Sequence, residues 1–235
     1  MKAQALVLTC EHGGAEVPTN YRRLFASMAA KAALQSHRGC DHGALRLARS
    51  LQRALKAPLY ASTVTRLLVD LNRSIGHPRL FSEFSKGLDP GERAVLLEER
   101  YYPHRNAIES WIDAHVRRGQ RVVHIGVHSF VPRTNGRIRT ADVGILYDPS
   151  RAAEHAFGCH WKSALRAIDP DLRVRRNYPY LGKSDGLVTH LREVFGPRDY
   201  VGIELEANQR LLRTSQGRRR AASSLTASLR ALLVA

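Results

Sequence analysis

Five short apolar stretches punctuate the chain: Ala5–Thr9, Leu59–Thr65, Val122–Val127, Val143–Tyr147 and Val201–Leu205. They are rich in Val, Ile and Leu and bounded by Gly, Pro or polar residues, the pattern of buried strands. Helical patterns lie between them. Over Asp41–Leu55, the apolar residues Ala44, Leu45, Ala48, Leu51 and Leu55 fall on one helix face. Pro90–Gly119 reads as a long helix with a break at Pro103, Arg151–Ile168 as another, and Arg218–Leu233 as the closing helix. Strands alternating with helices predict an α/β fold around a mainly parallel sheet. In such sheets ligands gather at the carboxyl ends of the strands.

Chemistry-bearing residues stand at those ends. The first stretch runs into Glu11-His12-Gly13-Gly14, the third ends at His128-Ser129, and the last carries Glu204 and Glu206. Strand alternation puts Glu204 and Glu206 on one face. Asp41 opens the first long helix, where a carboxylate also suits the helix dipole. Two histidines and one carboxylate are the ligand set of many hydrolytic zinc sites, which keep a further position for water. The ion acidifies that water and polarises the scissile carbonyl. A carboxylate outside the ligand set then carries the proton to the leaving nitrogen. These residues assign His12, Asp41 and His128 to one metal ion and Glu206 to proton transfer. Glu204 either shares that role or orients Glu206. His37, four residues before Asp41, is an alternative ligand. His77, His104, His115, His155 and His160 read as surface or loop residues.

Bulk properties narrow the function. With 235 residues, 43% of them hydrophobic, the chain is expected to form one domain over residues 1–235. Three cysteines without a CxxC pair make no disulfide framework and suit a reducing compartment. The apolar run at the start is too short for a secretory or membrane segment, so a cytoplasmic location with no membrane partner is expected. The net charge of +16 raises nucleic acid as a partner. The arginines are spread along the chain, however, and no nucleic-acid-binding motif accompanies them. Attraction of small anionic substrates is the reading adopted.

Six ordered segments resemble the N-formylglutamate amidohydrolase family. They are Thr9–Gly14, His37–Ala44, Arg66–Arg73, Val127–Phe130, Asn177–Tyr180 and Ile203–Asn208. The family is similar to zinc carboxypeptidases and to muramoyl-alanine amidases, and the order of His12, Asp41, His128 and Glu206 matches that of the amidases. The resemblance implies a three-layer α/β/α sandwich of the phosphorylase/hydrolase-like kind, one zinc ion, and hydrolysis of a small N-acyl, possibly N-formyl, amino acid. Its Asp-x-Gly-Ala helix start is nearest to a less characterised branch, so the acyl group and the amino acid are left open.

A substrate bearing a carboxylate calls for a guanidinium fork. Arg66 and Arg73 flank Asp70-Leu71-Asn72 and are the first candidates, with Asn72 as an amide donor; the alternative is an Arg–Asp pair with Asp70 that only ties a loop. Lys183 and Asp185 sit in a glycine-containing segment, 177–190, that suits a loop over the site. Competing functional readings are a zinc peptidase, a muramoyl-type amidase and a catalytically inactive basic binding protein.

Overall fold

The computed structural model describes residues 3–234. A six-stranded sheet forms the centre. It consists of β1 (Gln4–Cys10), β2 (Leu59–Ala61), β3 (Arg121–Phe130), β6 (Val143–Leu146), β7 (Val174–Arg176) and β8 (Tyr200–Asn208), ordered β2-β1-β3-β8-β6-β7. All neighbours run parallel except β6 and β8, which are antiparallel. The remaining strands, β4 (Arg133–Thr134) and β5 (Arg137–Ile138), form a separate hairpin after β3.

Period-two alternation sorts β3 and β8 between two layers of helices. Val123, Ile125, Val127, Val201, Ile203 and Leu205 point to one core, shared with α2 (Ala44–Leu55), α5 (Ala152–Ile168) and α8 (Ser215–Val234). Val122 and Tyr200 point to the other, shared with α4 (Tyr102–Arg117) and α6 (Leu187–Val194). His124, His128, Glu204 and Glu206 have the parity of Val122 and Tyr200, so they belong to the α4/α6 side. A third apolar cluster gathers Tyr21, Phe25, Leu68 and Leu96 beside the site, where α1 (Met28–Gln35) and α3 (Pro90–Leu96) lie. The result is an α/β/α sandwich with a mostly parallel sheet, as expected.

Several boundaries differ from the sequence reading. The second strand stops at Ala61 because residues 62–65 pair with the loop after β1 instead. Gly13 N donates to Ser62 O at 3.0 Å and Glu16 N to Thr63 O at 2.9 Å. A Cβ on Gly13 or Gly14 would lie 2.7 or 2.4 Å from those carbonyl oxygens, so only glycine permits the approach that seats His12. The first long helix begins at Ala44, not Asp41, because Gly43 has φ +86, a left-handed turn that L side chains resist. Asp41 therefore sits in the turn ahead of α2. Pro103 does not break the long helix. The chain passes from α3 through a π-helical turn, Leu97–Tyr101, into α4, with Pro103 in the first turn where its missing N–H costs little. The closing helix starts at Ser215 rather than Arg218.

Candidate metal centre

Separate elements deliver the ligands predicted from sequence. His12 follows β1 by two residues, and its carbonyl accepts from Asp41 N at 2.9 Å, which ties the two segments together. His128 lies inside β3, with Glu206 of β8 directly opposite in register. His12, Asp41 and His128 are all buried, and one ligand atom from each lies within 4.8 Å of the other two. Asp41 Oδ2 is 3.0 Å from His128 Nδ1 and 3.5 Å from His12 Nδ1. His37 is exposed and is not part of this group.

Each histidine is backed by a second carboxylate. His12 Nε2 is 2.7 Å from Asp70 Oδ1, and His128 Nε2 is 3.3 Å from Glu11 Oε2. Both rings therefore present Nδ1 to Asp41. The other oxygen of Glu11 faces His104 Nε2 at 3.6 Å. His104 is thus nearly buried behind the site rather than on the surface, because α4 packs against this face of the sheet. Arg66 bridges two of the acids, with Nη1 3.3 Å from Asp41 Oδ1 and Nη2 3.0 Å from Asp70 Oδ2.

The charges reinforce this arrangement. Burial alone would raise the Asp41 carboxyl, but His12, His128 and Arg66 hold it far below the usual carboxylate range. Burial opposes ionisation of Asp70 and Glu11 too, and it is outweighed by Arg66 and His12 for Asp70, and by His104 and His128 for Glu11. His128 would be lowered by burial, yet its bonds to Asp41 and Glu11 hold it well above an ordinary imidazole. Glu206 behaves oppositely. Burial pushes it up to about 8; His128 and Arg66 resist the rise, while Asp41 and Glu204 add to it.

The donor set fits a divalent cation. His12 Nδ1 is buried without a hydrogen-bond partner among the described residues, an arrangement that costs free energy unless something meets the lone pair. Tetrahedral zinc ligands bonded at about 2.0–2.1 Å stand roughly 3.3 Å apart, close to the 3.0 and 3.5 Å observed around Asp41 Oδ2. A carboxylate on the far nitrogen of each histidine is the usual second layer of such centres, since it fixes the tautomer and raises ligand basicity.

A cavity of about 450 Å³ opens over the cluster and is lined by His12, Asp41, His128, Glu204 and Glu206. The two glutamates are held differently. Glu204 Oε1 accepts from Asn72 Nδ2 at 3.2 Å, whereas Glu206 Oε2 is buried without a partner among the described residues. Asn72 is engaged at both ends, since its Oδ1 accepts from Leu187 N at 2.6 Å. Arg66, Arg73 and Asp185 line the cavity. Arg66 is committed to Asp41 and Asp70, and Arg73 Nη1 donates to Asp185 O at 2.5 Å. The Asp185 carboxylate accepts from Ser74 N at 3.1 Å and so anchors the loop 177–186. Lys183 is exposed and is not among the lining residues. Arg79, which the sequence reading passed over, also lines the cavity. No side-chain hydrogen bond or ion pair holds its guanidinium among the described residues. Glu11 and Asp70 were visible only as neighbours of the motif residues; their position beside His12 or between two arginines was the one available signal.

Comparisons with known proteins agree with this layout. The profile of the family described as N-formylglutamate amidohydrolase matches residues 4–213. The gene product Atu2144 from Agrobacterium tumefaciens is similar at 29% identity and a TM-score of 0.80, over 98% of this chain and 91% of that one. An N-formylglutamate amidohydrolase from Ralstonia eutropha JMP134 shares the fold at a TM-score of 0.75 and 17% identity, over 100% of this chain and 94% of that one. No curated protein matches the sequence. With some nine-tenths of its length matched by that profile, the chain belongs to the N-formylglutamate amidohydrolase family.

Proposed function

We propose that the chain is a zinc-dependent amidohydrolase that cleaves the amide bond of a small N-acyl amino acid bearing a free carboxylate, N-formyl substrates included. One observation carries the reading: His12 Nδ1, His128 Nδ1 and the Asp41 carboxylate converge beside a glutamate whose Oε2 is buried and unpartnered. A divalent cation held by those three residues would polarise the substrate carbonyl and acidify a water molecule.

The chain's own residues supply the rest. Glu206 takes a proton from the attacking water at Oε2 and returns it to the departing nitrogen as the C–N bond breaks. Its burial next to Asp41 and Glu204 makes it a stronger base than an exposed glutamate. Glu204, tied to Asn72, positions the neighbouring wall of the cavity rather than moving protons. Arg66 locks Asp41 and Asp70 in place. The substrate carboxylate then meets Arg73 and Arg79, the arginines lining the cavity that make no ion pair with Asp41 or Asp70 among the described residues.

The test is a panel of N-acyl amino acids offered to protein purified without a histidine tag, with metal content measured in parallel. Zinc-dependent release of the free amino acid, abolished by a chelator and restored by zinc, supports the reading. Stoichiometric metal without turnover of any member, or turnover indifferent to the chelator, counts against it.

A further inference from the structure

Away from the catalytic cavity, α2 and α8 enclose a second groove of about 560 Å³. Its walls carry Arg46, Arg49 and Arg53 from α2 and Arg218 and Arg219 from α8, above a floor that includes Leu47 and Ala222. No acidic residue occurs between Asp41 and Asp70, nor anywhere after Glu206, so neither helix brings a carboxylate to the groove. Several arginines elsewhere are matched: Arg220 to Asp169, Arg210 and Arg173 to Asp142, Arg192 to Glu154. In the groove, the guanidinium groups of Arg46, Arg49, Arg53 and Arg219 have no hydrogen-bond or ion-pair partner among the described residues, and that of Arg218 meets only the carbonyls of Leu212 and Arg213.

Five like charges around one concavity repel one another, and Arg218 and Arg219 also stand at the amino end of a helix, where the dipole disfavours cations. Both costs are removed by an anion. The i, i+3, i+7 spacing of Arg46, Arg49 and Arg53 puts three guanidinia on one face of α2 over roughly 10 Å. Planar guanidinia favour phosphate oxygens, which they bind in pairs. That span accommodates on the order of two or three phosphate groups, and the groove volume falls within the usual small-molecule range of about 300–1,000 Å³. No aromatic ring lines it, so it offers nothing for nucleic-acid bases to stack on.

We infer that this groove is a binding site for a compact anion carrying several phosphate groups, distinct from the hydrolytic centre and independent of its assignment. Titration calorimetry of the intact protein with inorganic tripolyphosphate, at about 50 mM salt, tests it. Saturable one-to-one binding is expected, weakened at least about tenfold in the Arg49→Gln/Arg219→Gln variant, whose fold is checked by thermal melting. If that pair fails to fold, Arg53→Gln alone should still weaken binding severalfold. Three outcomes overturn the inference: no saturable binding, unchanged affinity in the folded variant, or a duplex RNA that binds these arginines while tripolyphosphate does not displace it.

Discussion

Asp70 Oδ1 lies 2.7 Å from His12 Nε2 and leaves the Nδ1 of that ring as the atom turned toward Asp41. The Glu11 contact to His128 does the same for the second histidine. Asp70→Asn keeps the shape but weakens this polarisation and releases Arg66. It should lower zinc affinity by about 10–100-fold with the fold retained. Competition against a fluorescent chelator measures this, and unchanged affinity would remove Asp70 from the metal centre.

Glu206 and Glu204 sit two residues apart on β8, yet among the described residues only Glu206 of the two has an oxygen that is both buried and unpartnered. Glu206→Gln should reduce kcat by about 10²–10⁴-fold while zinc content stays at the wild-type level. Glu204→Gln should cost less, because Asn72 can hold a glutamine in the same place. Equal losses in the two variants would mean that proton transfer is not confined to Glu206.

Among the described residues, Arg79 is the lining arginine whose guanidinium has no protein partner, while Arg66 is bound to two carboxylates. Arg79→Ala should raise KM for carboxylate-bearing substrates by about tenfold with kcat little changed, the signature of lost substrate binding. Arg66→Ala should instead reduce zinc occupancy. Steady-state kinetics and metal analysis on the two variants separate these roles.

His124 gives the fold a pH dependence of its own. Fully buried between Thr9 Oγ1 at 2.9 Å and Tyr200 OH at 2.7 Å, it is pushed down to about 4, chiefly by burial. Arg192, His128 and His104 lower it further, and the Glu11 carboxylate opposes them. The unfolded chain binds the proton more readily, near the ordinary value of about 6.5. The stability contributed by the neutral ring is thus complete above about pH 6.5 and lost as pH falls toward 4, on the order of 3 kcal/mol. Urea melts across that window should show a shallower decline for His124→Gln than for the wild type.

Much of this was legible in the chain. The strand ends carried His12, His128 and the two glutamates, and period-two alternation alone placed Glu204 and Glu206 on one face. The elements that escaped notice are short or polar. β7 is three residues with two arginines, and α6 is eight residues inside a glycine-containing segment. Their periodicity is too brief to register, and tertiary packing forms them. Asp41 read as a helix residue because the apolar pattern runs close to it, whereas the left-handed Gly43 delays the helix. Glu11, Asp70 and His104 escaped for a different reason. Which carboxylate stands behind a histidine depends on contacts across 58 residues for His12 and Asp70, a separation that local spacing does not encode. The same holds for Arg66, which reads first as a substrate-binding residue, with a loop tie to Asp70 only as the alternative; its reach to Asp41 is not encoded in local spacing.

The central claim is that His12 and His128 face one cation through Nδ1, with Asp41 as the third ligand. Anomalous diffraction at the zinc edge, from crystals of untagged protein, tests it most directly. The account predicts one ion per chain, bonded to both Nδ1 atoms and an Asp41 oxygen, with Glu206 outside bonding distance. An ion bound elsewhere, or held through the Nε2 atoms in place of Asp70 and Glu11, would contradict it.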